Sequence, residues 1–167
     1  TVAQLKTLAA DCAAILGPGC KISYAADWSE YFGHQPGDGT NDVFFHLDSL
    51  WSDANIDFVA IDNYMPLSDW RDGFSHADAL LWSSIYDKNY LASNIAGGEG
   101  FDWFYLNDTD RANQVRTPIS DGLGKPWVFR YKDLRSWWLN QHYNRPAGVE
   151  SGSPTAWVPQ SKPFRFT

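Results

Sequence analysis

Ile56-Asp57-Phe58-Val59-Ala60-Ile61 is almost unbroken in apolar residues and runs out into Asp62-Asn63-Tyr64. A strand that is apolar on both faces must be covered on both. That is the condition of a parallel strand inside an α/β sheet, not of an antiparallel strand with one wet face. Upstream, Asn41 reads as the cap of a helix that puts Val43, Phe44, Leu47, Leu50 and Trp51 on one face. Before it lie a loop over residues 27–40, broken by Gly33, Pro36, Gly37 and Gly39, and a short strand over 21–26. At the start, Val2, Leu5, Leu8, Ala9, Cys12, Ile15 and Leu16 recur at helical spacing behind Thr1, until Gly17-Pro18-Gly19 stops the helix.

Downstream, the pattern predicts a helix over 78–95 with Lys88 on its apolar side, so either the lysine snorkels or the helix breaks there. Residues 101–105 fit a strand or an aromatic loop. A short helix follows over 110–115, then a strand over 127–131, a helix over 133–141, a proline-bearing loop over 145–159 and a last strand over 163–167. Helix and strand alternate throughout, as they do in parallel βα units, and no repeat or low-complexity tract interrupts them. A doubly wound sheet and a (β/α)8 barrel both fit this order. No strand is followed by a phosphate-cradling glycine motif, whereas the carboxyl ends of the strands gather polar and aromatic residues as barrel active sites do. The barrel therefore accounts for more of the residues. The fold expected is α/β, a TIM-like barrel.

The chain has 167 residues, of which 44% are hydrophobic and 20% charged, with nine Trp, eight Tyr and ten Phe. This is a globular composition with enough apolar matter for a core. Thirteen basic residues against twenty acidic ones leave a net charge of −7 without any basic block, which argues against nucleic acid and anionic membrane as partners. The purely apolar runs stop at about four residues, far below the roughly 18 of a membrane span. Cys12 and Cys20 read as buried thiols, and the first sixteen residues lack the features of a signal peptide. His34, His46, His76 and His142 are scattered without metal-ligand spacing, and Asp38-Gly39-Thr40-Asn41-Asp42 lacks the bidentate Glu of a calcium loop. No metal and no cofactor is expected.

Carboxylates beside aromatic rings at converging strand ends suit carbohydrate, because Trp and Tyr faces stack on a pyranose while Asp, Asn and Glu bind its hydroxyls. Glycosidic cleavage needs two carboxyl groups, one handing a proton to the leaving oxygen and one ionised, about 5 Å apart when configuration is retained. Glu30 follows the first strand beside Trp28 and Tyr31, where apolar neighbours would favour its proton-donating form. It is the expected proton donor. Asp27, Trp28, Asp62, Asn63, Tyr64, Trp70, Tyr131, Lys132 and Asp133 are the expected substrate contacts. Several also have a plainer reading: Glu30 as a loop carboxylate that meets solvent or caps a backbone turn, Asp62 as a turn cap, Tyr64 and Trp70 as cover for the barrel mouth, Lys132 and Asp133 as a surface ion pair opening a helix.

Five stretches resemble one known family: Ile22-Ser23-Tyr24-Ala25-Ala26-Asp27-Trp28-Ser29-Glu30-Tyr31, Phe44 to Trp51 with its His46-Leu47-Asp48, Ile61-Asp62-Asn63-Tyr64-Met65-Pro66-Leu67, Ser93-Asn94-Ile95-Ala96-Gly97-Gly98-Glu99-Gly100, and Trp127-Val128-Phe129-Arg130-Tyr131-Lys132-Asp133. They resemble the glycoside-hydrolase-like TIM-barrel domain of the tail-hub (baseplate) protein of gene transfer agents and related phage tails. The resemblance implies a module of a phage-tail-like particle, made in the bacterial cytoplasm and acting at the recipient cell surface. It would hydrolyse or bind surface or cell-wall glycan, with other tail or baseplate proteins as partners. A non-catalytic structural or glycan-binding baseplate domain is the alternative. Whole barrels run to roughly 250 residues, so residues 1–167 are expected to form a single partial domain, truncated at both ends and holding about strands four to seven. In glycosidases of this type the acid/base follows the fourth strand and the nucleophile ends the seventh. The resemblance thus carries the first role onto Glu30 and puts the second just beyond Thr167.

Overall fold

In chain order the computed structural model contains α1 (Val2–Leu16), β1 (Ala25–Asp27), α2 (Asp48–Trp51), β2 (Val59–Asp62), a 3-10 turn (Asp78–Leu80), α3 (Lys88–Ser93), β3 (Trp103–Phe104), α4 (Asp108–Asn113), β4 (Thr117–Pro118), α5 (Leu134–Leu139), a second 3-10 turn (Pro146–Gly148) and β5 (Phe164–Phe166). It describes residues 1–120 and 130–166. These divide into two compact units, Thr1–Tyr64 with Leu134–Thr167, and Met65–Asp133.

The first unit is built on a parallel sheet of order β1-β2-β5. Ala25, Ala26 and Asp27 stand opposite Ala60, Ile61 and Asp62, while Val59, Ala60 and Ile61 stand opposite Phe164, Arg165 and Phe166. β2 is the central strand, and its Val59, Ala60 and Ile61 are all buried, as its continuous apolar run requires. Ring packing closes the core around it. Tyr31 meets Trp137 at 5.4 Å and Phe164 at 5.8 Å, and Trp137 meets Trp157 at 4.5 Å. Two polar side chains inside this core are engaged: the Trp137 indole donates to the Phe32 carbonyl at 3.1 Å, and the His142 ring lies between the Asp48 carboxylate at 2.9 Å and the Trp137 carbonyl at 2.8 Å, whereas the buried Trp157 indole nitrogen finds no partner among the described residues. A buried hydrogen-bonding group left alone would cost about 1–3 kcal/mol.

The helix expected from Asn41 onward starts only at Asp48. Asn41 is left-handed (φ 59), and residues 43–45 run extended instead. Val43 pairs with Arg145 and Phe44 with His34 in antiparallel bridges, and the Asn144 side chain accepts from the Phe45 amide at 2.9 Å. These β-prone residues find backbone partners from distant segments, so they need no helical ones. The thiols also differ from expectation: both cysteines are free, Cys12 half-buried and Cys20 exposed.

The four consecutive parallel strands expected become three among the described residues. Of the strand predicted over 127–131, Trp127, Val128 and Phe129 lie outside the described residues, and Arg130 and Tyr131 are not in a strand. β5 occupies the place beside β2 that this segment was expected to hold. The fold is α/β and barrel-like in its parallel order, but the described sheet is open and one strand shorter than strands four to seven would be.

The second unit has little sheet. β3 and β4 pair antiparallel, which resolves the 101–105 segment as a short strand. The single helix expected over 78–95 is broken into the 3-10 turn and α3. Asp87 caps α3, its side chain accepting from the Asn89 amide at 2.9 Å, so Lys88 opens a helix instead of intruding on an apolar face. Gly100 (φ 80) is required on two counts, since a side chain there would enter the Tyr131 ring as well as strain the backbone.

Candidate functional site at the carboxyl end of the parallel sheet

β1 and β2 end in register, Asp27 opposite Asp62, and the Trp28 amide donates to the Asp62 carbonyl at 3.2 Å. Beyond that point the chain leaves β1 in a tight turn. The Glu30 and Tyr31 amides donate to the Asp27 carbonyl at 2.9 and 3.2 Å. The Asp27 carboxylate accepts from the Ser29 hydroxyl at 2.5 Å and from the Ser29 amide at 2.9 Å, bonds that hold it below the usual carboxylate range. The turn sends Tyr31 into the core and leaves Glu30 exposed. The apolar shelter expected from Tyr31 is therefore directed elsewhere.

Glu30 opens onto a wide hollow lined by Ser29, Gly33, His34, His46 and Leu47. The hollow exists because loop 27–40 is pinned to residue 44: His34 and Phe44 exchange backbone hydrogen bonds at 2.7 and 3.0 Å. His46 stacks on Phe44 with ring centroids 5.3 Å apart and planes 16° off parallel, and its ring lies 6.0 Å from that of His34. Both histidines are exposed. Sequence reading passed over them because it asked only for metal spacing. His34 had a usable signal, standing four residues after Glu30 in the same post-strand loop. His46 had none, since only the distant pairing of residues 34 and 44 brings it there.

Asp27, Trp28, Glu30, Asp62, Asn63 and Tyr64 thus share one end of this sheet. Asp62 is half-buried, Asn63 exposed, and the Tyr64 ring 77% exposed. The other four expected contacts belong to the second unit. There Trp70 packs edge-on against Tyr90 at 5.7 Å and His76 at 4.6 Å. Lys132 is only 4% exposed and donates to the carbonyls of Pro66 and Gly97, each at 2.7 Å, so it is not one half of a surface ion pair. Burial pushes its ammonium down to about 8, against the opposing fields of Asp102 and Glu99. Tyr131 lies against Gly100, its phenol pushed up to about 12 by burial and by Glu99. Asp133 is half-buried.

The second unit also encloses a narrow polar cleft lined by Ser68, Asp69, Asp78, Asn94, Glu99 and Arg116, among others, too small for a sugar ring. Its charges are matched internally. Arg116 bridges Asp69 at 2.7 Å and Asp78 at 2.8 Å, while Tyr105 and Gln114 donate to Asp69 and Tyr90 donates to Asp78. This network serves the architecture. Among the described residues no cluster of His, Cys, Asp and Glu could hold a metal ion, and no helix is long and apolar enough to cross a membrane.

A parallel sheet with helical crossovers and its polar residues at the strand carboxyl ends defines a TIM-barrel-like α/β domain. The family model of the GTA TIM-barrel-like domain matches residues 1–167, and the chain belongs to that family. Membership associates it with gene transfer agents. No curated protein matches the chain.

Proposed function

We propose that this domain is the glycan-handling module of a gene transfer agent particle, carried at its tail or baseplate, and that it cleaves glycosidic bonds of the recipient's surface or cell wall with Glu30 as proton donor. The observation that carries the reading is the position of Glu30. It follows a parallel strand directly, at the carboxyl end where barrel enzymes keep their chemistry, and it opens onto a hollow wide enough for a sugar ring. Asp27 supports it by fixing the turn through Ser29. Asp62, Asn63 and Tyr64 offer hydroxyl partners and a ring face from the neighbouring strand. Retention requires a second carboxylate, and the resemblance puts it at the end of a seventh strand, one place beyond the position that β5 takes beside β2.

The test is turnover. In the full-length protein, Glu30→Gln lowers kcat on glycans with poor leaving groups by about 10²–10⁴ while glycan binding persists, because the amide keeps shape and most hydrogen bonds. An unchanged rate removes Glu30 from the mechanism. The exposed setting of Glu30 favours a second reading in which the domain holds glycan without cutting it. That reading predicts binding across a glycan panel and no cleavage by the unmutated protein.

A further inference from the structure

We propose that the hollow beside Glu30 selects an anionic glycan, His34 and His46 together receiving a sugar-borne carboxylate. The inference rests on reading this end of the sheet as a glycan site, and it adds the substrate class. Three observations carry it. First, the hollow has two imidazoles on its wall and no Lys or Arg among its lining residues, so its capacity for positive charge is histidine's alone. Second, both rings are held rather than trailing. The paired backbone bonds between residues 34 and 44 fix the loop, and the stack on Phe44 fixes the plane of His46. Third, the rings stand 6.0 Å apart. An imidazole N–H donates a hydrogen bond, and at that spacing a single carboxylate, whose two oxygens accept separately, can take one from each ring. A chain with net charge −7 has little long-range attraction for an anion, which makes such a local pair the means of recognising one.

Two carboxylates act against the pair. Glu30 shares the hollow, and Asp38, held low chiefly by the Thr40 hydroxyl and amide, lies near enough to His34 for the imidazole's field to lower it further. The bound carboxylate therefore sits on the histidine side of the hollow, away from Glu30. Ring hydroxyls of the same sugar face Ser29 and Glu30.

The test uses the full-length protein, D-glucuronate as probe and D-glucose as its uncharged counterpart, followed through the imidazole resonances by NMR. Glucuronate is expected to shift the His34 and His46 signals saturably, and glucose is not. Replacing both residues, His34→Gln with His46→Gln, weakens glucuronate binding about threefold to tenfold, the scale of two exposed charge pairs. The bridge between residues 34 and 44 is made by backbone atoms, so the replacements leave it in place. Asp38→Asn, which touches neither ring, strengthens binding. Equal response to glucose, no response to glucuronate, or undiminished binding by the double variant overturns the proposal. Glu30→Gln, which stops turnover on the catalytic reading, preserves or strengthens the glucuronate response, so the two readings fail separately.

Discussion

The first unit excludes Trp51, Trp137 and Trp157 almost completely from water, whereas in the second the buried ring of Tyr90 uses its hydroxyl to bond Asp78 and Ser68 and to accept from the Asp69 amide. One unit is organised by aromatic packing under a parallel sheet. The other is organised by charges: Arg116 between Asp69 and Asp78, Arg71 on Asp69, and Arg111 on Glu99. Length accounts for much of the contrast. A segment of roughly 70 residues with two-residue strands cannot bury enough apolar area to outweigh its ordering entropy, so matched polar contacts fix its geometry. The second unit is a part of the chain between β2 and β5, two strands that are immediate neighbours in the sheet.

The comparison breaks most sharply at Trp137. Trp137→Ala removes the ring that Tyr31, Trp157 and Phe164 all touch, and it should cost about 3–5 kcal/mol, read as a lower midpoint in urea unfolding with hydrogen exchange rising through the first unit. Exchange rising only in residues 65–133 would show the division to be wrong. Next in size is Arg116→Met, which removes the cation that Asp69 and Asp78 share and leaves Arg71 on Asp69 alone. About 2–4 kcal/mol is expected, reduced from a fully buried pair because the guanidinium is partly exposed, and exchange should now rise in residues 65–133.

Acidification separates the units without mutation. Burial alone would raise the Asp69 carboxyl, but hydrogen bonds from Tyr105, Arg116 and Gln114 with the field of Arg71 outweigh it and hold the group below its ordinary value. A depressed carboxyl contributes stability that is whole above the unfolded-state value, about 3.9, and is lost as pH falls through the lower folded value. Residues 65–133 should therefore lose exchange protection in acid before the parallel sheet does. At the alkaline end the signs differ by group. Lys132, depressed to about 8 from 10.5, carries the full cost of a buried charge below pH 8, and that cost is relieved as pH rises toward 10. Burial raises the Tyr90, Tyr105 and Tyr131 phenols, so above about pH 10 the unfolded chain ionises first and stability falls again. A maximum near pH 9–10 in the second unit's stability follows, and Lys132→Met should erase its rising limb. The smallest effect belongs to the surface: Lys21→Ala, which breaks the exposed pair with Asp57 at 2.8 Å, should change the unfolding free energy by less than about 1 kcal/mol.

The sequence by itself determined the elements whose evidence is local. The helix from Val2 to Leu16 ended by Gly17, the two-sided apolar run of β2, and the polar residues following Ile61 and Ala26 were all legible from spacing, although of the apolar stripe on α1 only Ala9 is buried while Leu8, Ile15 and Leu16 are exposed. That was enough for the α/β class and the parallel order. Tertiary structure alone decided what depends on partners far away in the chain. Val43 and Phe44 fit a helix by spacing, but pairing with residues 145 and 34 makes them extended, and that same pairing carries His46 to the hollow. The neighbour of β2 was equally invisible, because a strand's hydrophobic pattern states that it is covered and paired but not by which other strand. Spacing encodes faces, while adjacency is settled only when hydrogen-bond registers and packed rings from the whole chain are satisfied together.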